Sequence, residues 1–142
     1  CTSEEWFWQP SEGVTHLAWQ VGHLAFAQFG LCVIRVRGRR DSDREVISDE
    51  FFERFRIGSE PVAGAENNPP VDEIRTVLHD VHNLALAELA ERTTAELDVP
   101  VDKPHPVFKT KLGAVEWCSN HELVHAGQIA LLRRLMGKAP LR

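Results

Sequence analysis

The 142-residue chain carries a formal charge of −5 and is 43% apolar and 26% charged, the balance of one soluble globular domain. The acidic balance disfavours nucleic acid as a partner, which calls for a basic surface, and three cysteines at positions 1, 32 and 118 make no disulfide framework. No apolar run reads as long enough to span a membrane and no signal peptide is visible, so a reducing cytoplasm is the expected compartment.

The chain opens on Cys1 rather than Met, so residues are expected ahead of it. Thr2 or Ser3, followed by Glu4 and Glu5, predicts a short capped helical turn. The aromatics around Phe7 are expected to plug one end of a core, and residues 9–13 predict a turn. From Val14 to about Arg37, the spacing of His16, Trp19, His23, Phe26, Gly30, Val33 and Arg37 predicts a first long helix whose inward face carries histidine. Arg35 and Arg37 suit its C-terminus, and Gly38 can end it. The basic cluster from Arg35 to Arg40, with Arg44, is expected to close this helix and solvate a loop. A short helix near residues 49–56 should fold its phenylalanines against the bundle. Residues 58–70, with three prolines, two glycines and Asn67-Asn68, predict a loop long enough to cover a site.

Val71 to about Glu96 predicts the second long helix, with Ile74, Val77, Leu78, Val81, Leu84, Ala85 and Leu89 as its stripe. Residues 98–111 hold Pro100, Pro104 and Pro106 and read as an extended connection. The last helix runs from about Leu112 to Met136, ending at Gly137. Almost no alternating pattern occurs. The fold class is all-α, with residues 1–142 as one domain.

Along the last helix, Ala114, Cys118, His121, His125, Gln128, Leu132 and Leu135 repeat at the spacing of an inward bundle seam. His121 and His125 project from one face, one turn apart, where two imidazoles can grip one metal ion. Buried there as plain core, they would need polar partners. His121-Glu122-Leu123-Val124-His125 also matches the H-E-x-x-H pattern of zinc metalloproteases, which makes Glu122 the general base. However, no His, Asp, Glu or Cys follows His125 to complete that site. His23 is the best upstream third ligand, on the inward face of another helix. His16 lies seven residues earlier, about 10 Å along the axis, and reads as a helix-start or mouth residue. His79 and His82 read as boundary residues, and His105 as lining a mouth. Gln128 either hydrogen-bonds a ligand imidazole or joins two helices. Cys118 is either a thiolate ligand or nucleophile or a small core residue. Trp19 and Trp117 are expected as walls of the site or plain core.

Trp19-Gln20-Val21-Gly22-His23-Leu24, followed a hundred residues later by Asn120-His121-Glu122-Leu123-Val124-His125-Ala126-Gly127-Gln128-Ile129, resembles the DinB/YfiT superfamily. The lead-in His105-Pro106-Val107-Phe108 and Glu116-Trp117 resembles it too, as does the end Leu131-Leu132-Arg133-Arg134-Leu135-Met136-Gly137. The resemblance implies a DinB-like antiparallel four-helix bundle, often dimeric, with the family's first helix ahead of Cys1. It implies a divalent metal (zinc, nickel, iron or manganese) on three histidines, which map to His23, His121 and His125.

Relatives of this kind include thiol-dependent S-transferases, a maleylpyruvate isomerase and hydrolases. The expected function is therefore activation of water or a low-molecular-weight thiol against a small-molecule substrate. The alternatives are a non-catalytic, stress-related bundle with a structural metal or histidine cluster, and a zincin-like peptidase using Glu122. The expected assembly is a homodimer without nucleic-acid or membrane partners.

Overall fold

One helical rod, Leu17–Arg37, organises the molecule, whose computed structural model describes residues 1–103 and 105–140. It is preceded by helix α1, Ser3–Trp6, where Thr2 and Glu5 form a reciprocal capping box that satisfies two otherwise orphaned amides. Helix α2, Leu17–Gln28, starts where the His16 side chain accepts a hydrogen bond from the Trp19 amide. A wide π turn, Phe29–Ile34, follows, and helix α3, Arg35–Arg37, finishes the rod. The π turn was not expected. It shifts the buried stripe onto Cys32, Val33 and Val36 and turns Gly30 toward open space. A six-residue π turn is rare and often marks a functional segment. Gly38 ends the rod at φ +84°, which favours glycine.

The rod also corrects a sequence reading. Leu17–Arg37 is long and apolar enough to cross a membrane by length and composition. In this fold it is the packed core helix, flanked by α2's neighbours on several sides, and Ala18, Ala25, Phe29 and Val33 along it are fully covered.

Helix α4, Asp49–Phe55, is capped by Ser48 and buries Phe51 and Phe55. Helix α5, Val71–Ala90, packs its expected stripe against the rod, burying Ile74, Val81 and Ala85. It ends six residues before the expected Glu96. Thr93 accepts from the Glu96 amide, while the Glu96 carboxylate accepts from the Thr93 amide. That capping box starts a separate helix α6, Thr94–Leu97, because a side-chain cap competes with helix continuation. The connection after it pairs Pro100 with Thr110 in one isolated antiparallel bridge, and its Pro104 lies outside the described residues. Helix α7, Lys111–Leu135, begins at a Thr110 cap. Among the described residues there is no β-strand, and the fold is an all-α bundle.

The basic cluster does more than solvate a loop. Arg37 is buried and bidentate to Asp43, at 2.9 and 2.7 Å. Its Nε lies 2.8 Å from a Glu88 carboxylate oxygen. The rod's C-terminal end is thereby tied to the following turn and to α5. Its other end is held by packing. A Cβ on Gly22 would lie 2.5 Å from the Phe55 ring, so glycine there lets α4 close directly onto α2. That close approach delivers a backbone carbonyl to His23.

Candidate metal centre

Helices α2 and α7 bring three imidazoles together. His23, His121 and His125 each offer one ring nitrogen, and these nitrogens lie within 4.8 Å of one another. The ring centroids are 4.4 to 5.4 Å apart. His23 and His125 are buried, at 5% and 7% exposure, and His121 is half-buried. The i, i+4 spacing on α7 stacks two of them, and the α2–α7 packing supplies the third.

The surrounding hydrogen bonds fix which nitrogen each ring presents. His23 Nδ1 donates to the Phe55 carbonyl at 2.8 Å, so its Nε2 carries the lone pair. His125 Nδ1 donates to the Gln20 side-chain oxygen. Gln20 in turn donates its amide to Thr15, which fixes its orientation. His125 Nε2 therefore also carries a lone pair, and it sits 3.2 Å from His121 Nε2. That is the separation of two nitrogens each about 2.0–2.1 Å from one ion. A proton on His121 Nε2 could serve only one of the two waiting lone pairs, whereas a cation serves all three nitrogens. His121 Nδ1, the ring nitrogen turned away from this cluster, is buried without a protein partner, and an ion on Nε2 leaves it so. The residues fit a divalent metal.

Electrostatics point the same way. Burial pushes the pKa of His23 down, against the bond to Phe55. Burial, then the charge of His23, lowers His121. His125 is pushed down to about 4 by burial, then by His121 and His23, with Gln128 pulling weakly the other way. All three rings are neutral at neutral pH, the form that ligates metal.

Trp19 stacks on His23 at 4.6 Å with the planes 8° apart and anchors its indole N–H on Ser59 at 3.0 Å. His23 and His121 face an open cavity of about 600 Å³, also lined by Phe26 and Trp117, so Trp117 walls the site while Trp19 backs His23 and packs on the core. The site is thus closed behind by hydrogen-bonded imidazoles and open in front.

The remaining sequence candidates divide. His16 is the helix-start residue, fully buried, with Nε2 donating to the Val62 carbonyl at 2.9 Å. The long loop therefore packs on the start of α2. His105 lines the cavity mouth and stacks on Phe108 at 4.0 Å. Cys118 is a buried thiol whose pKa is raised by its hydrogen bond with Cys32 and by burial, so it stays protonated and reads as core. Gln128, placed on the inward seam by its spacing, is exposed, yet its side chain still reaches His125, in keeping with the imidazole-bonding alternative.

Glu122 sits one residue past His121, about 100° further round the helix. It lines a different cavity with Gln28, His79 and His82. There it accepts from the Gln28 amide at 3.2 Å and from the Cys118 thiol at 3.6 Å.

Two contributors were missed in the sequence. The Phe55 carbonyl carries no residue-type signal at all. Gln20 does: it is an amide one turn before His23 in an otherwise apolar helix, and it is 2% exposed. A model of the DinB superfamily matches residues 1–129. No curated protein and no solved structure matches the chain.

Proposed function

The chain belongs to the DinB superfamily, and on that premise we propose that His23, His121 and His125 hold one divalent metal ion and that the protein is a small-molecule enzyme. The observation that carries this is the one-sided site: two of the three imidazoles line an open cavity, while all the hydrogen bonds that fix the rings lie behind them. A structural metal is enclosed by its ligands, whereas a catalytic one keeps an open position. A bound ion would act there as a Lewis acid and favour the deprotonated form of an approaching water or thiol.

The chain's own residues do the rest. Phe55 and Gln20 hold two rings in the tautomer that presents Nε2, which keeps the ligand set basic and oriented. Trp19 fixes the plane of His23. Phe26 and Trp117 exclude water from the side of the substrate. The reaction class is transfer of a low-molecular-weight thiol to a small electrophile, or its hydrolysis, in the reducing compartment that three free cysteines favour. Glu122 has no role in this reading, since it faces the other cavity. A zincin-like peptidase would need it beside the ion.

The test is the cobalt-substituted protein titrated with 2-mercaptoethanol. A new near-ultraviolet sulfur-to-cobalt absorption supports an open face to the site. An unchanged spectrum at excess thiol contradicts the thiol-transfer reading, and if added azide also leaves the spectrum unchanged the face is closed and the ion is structural.

A further inference from the structure

The cavity in front of the histidines is a groove rather than a bowl, and its two ends differ. On the rod it runs from His23 past Ala27 and Gly30 to Arg35. Twelve residue steps separate its ends, at most about 18 Å along the axis at the α-helical 1.5 Å each, and the π turn within them shortens that span. Its middle is hollow because Ala27 and Gly30 are small. A Cβ added to Gly30 would meet nothing within 4 Å. Leu31 and Ile34 make the wall apolar, and Ile57 forms part of the lip while 76% exposed. An exposed isoleucine on the lip of an apolar groove costs little once an apolar ligand covers it.

The far end is cationic. Arg35 and Lys103 line it, and Arg35 donates to the Lys103 carbonyl at 3.1 Å while lying over the Phe108 ring at 4.9 Å. Every other arginine of the rod's end and the following turn is neutralised by a carboxylate: Arg37, Arg39, Arg40 and Arg44 all make ion pairs. Among the described residues, Arg35 and Lys103 make none. Asp102 is the acid on this rim, and it is not within ion-pair distance of either. The positive charge of Arg35 also helps, after burial, to keep His105 beside it neutral. In a chain of net charge −5, a positive rim at one end of an apolar groove selects for the sign of the ligand's head. The guanidinium is already oriented by a carbonyl and an aromatic face, the arrangement suited to a carboxylate.

We propose that the groove binds an elongated amphiphilic carboxylate. Its apolar chain lies along Ala27, Gly30 and Ile34, its carboxylate meets Arg35, and its opposite end is presented to the three histidines. This rests on the reading of the histidines as the reactive end, but the binding itself needs no metal. Arg35 sets the sign preference, and Gly30 and Ile57 set the shape.

The test uses metal-free protein and three probes: dodecanoate and dodecyltrimethylammonium below their micellar concentrations, and dodecan-1-ol below its solubility limit. Binding is read by titration calorimetry and by the fluorescence of the tryptophans, Trp117 among them. Dodecanoate should bind at one site per chain, at least tenfold more tightly than either other probe. Arg35→Gln should remove that preference and leave dodecanol binding unchanged. Gly30→Phe should abolish binding of all three, with an unchanged circular dichroism spectrum. Ile57→Ser, at an exposed position, should weaken all three severalfold and serves if Gly30→Phe misfolds.

The proposal is overturned by non-saturable binding, by equal affinity for dodecanol and dodecanoate, or by indifference to both shape variants. It is also overturned if dodecanoate binds only metal-loaded protein and ignores Arg35→Gln, since the carboxylate would then sit at the wrong end. Failure here leaves a metal stoichiometry of one intact. Failure to take up metal leaves these titrations readable.

Discussion

The rod Leu17–Arg37 buries polar groups at both of its ends, and the two ends are finished differently. At the C-terminal end, Arg37 meets Asp43 with two hydrogen bonds and Glu88 with an ion pair. Asp43 also accepts from the Arg40 amide at 2.8 Å. Opposite charges answer each other, and the Arg37 bonds hold the Asp43 pKa below its usual range. At the N-terminal end, three imidazoles crowd together with no carboxylate. Their lone pairs converge on one another. A polar cluster that serves only the fold closes on itself. A cluster left with converging acceptors is complete only with something the chain does not supply.

Breaking the closed end should cost the most stability. Asp43→Ala leaves Arg37 buried beside only Glu88, and denaturant unfolding should show a loss of about 3–5 kcal/mol. Metal uptake, some way along the rod, should survive in the folded fraction. Gly22→Ala strikes between the ends. Its methyl would meet the Phe55 ring at 2.5 Å, so a loss of about 1–3 kcal/mol is expected. Because Phe55 also holds His23, this variant should weaken metal binding as well, which Asp43→Ala should not.

Gln20→Leu acts on the open end alone. It removes the acceptor of His125 Nδ1, and metal affinity in a competition assay should fall about 10- to 100-fold. Acid should separate the ends by pH. His16, His23, His121 and His125 have pKa values below 6.5 in the fold. The unfolded chain therefore takes up protons first, and metal-free stability should begin to fall as pH drops below about 6.5. That loss should continue toward the value of about 4 for His125. The Asp43 contribution has the opposite origin: a carboxylate held below its usual range by Arg37 stabilises the fold above the ordinary aspartate pKa of about 3.9 and is lost only below it. Metal uptake at pH 7 should release few protons, because the ligands are already neutral. The smallest effect is on stability in His121→Ala. Removing a half-buried ring with an orphaned nitrogen should change metal-free stability by less than about 1 kcal/mol, though it deletes a proposed ligand.

Much of this was legible in the residue pattern. The three long helices, the caps at Thr2 and the C-terminal Gly137, and the convergence of His23 with His121 and His125 follow from helical spacing, which places side chains on faces without any tertiary knowledge. What spacing could not give is whatever depends on a departure from the regular helix or on backbone atoms. The π turn at Phe29–Ile34 breaks the 3-4 repeat, so Gly30 reads as core and lies open instead. Helix α5 stops at Ala90 because the Thr93–Glu96 box competes with it, a local signal that the hydrophobic stripe outweighed. Gln128 sat on the seam by its period yet is exposed, although Leu132 one turn later on that seam is buried and Leu135, the next, is more than half exposed, so the regular spacing does not follow the packed face at this end of α7. Glu122 falls within a known motif, but the motif does not say which cavity the residue one step round the helix will face.

The central claim is most directly tested by the metal content of the untagged protein. Wild type and His23→Ala are each incubated with one divalent metal at pH 7, desalted and analysed for bound ion. One ion per chain in wild type and none in His23→Ala is the expected result. Full occupancy in the variant, or no retained ion in wild type, would contradict a site built from both helices.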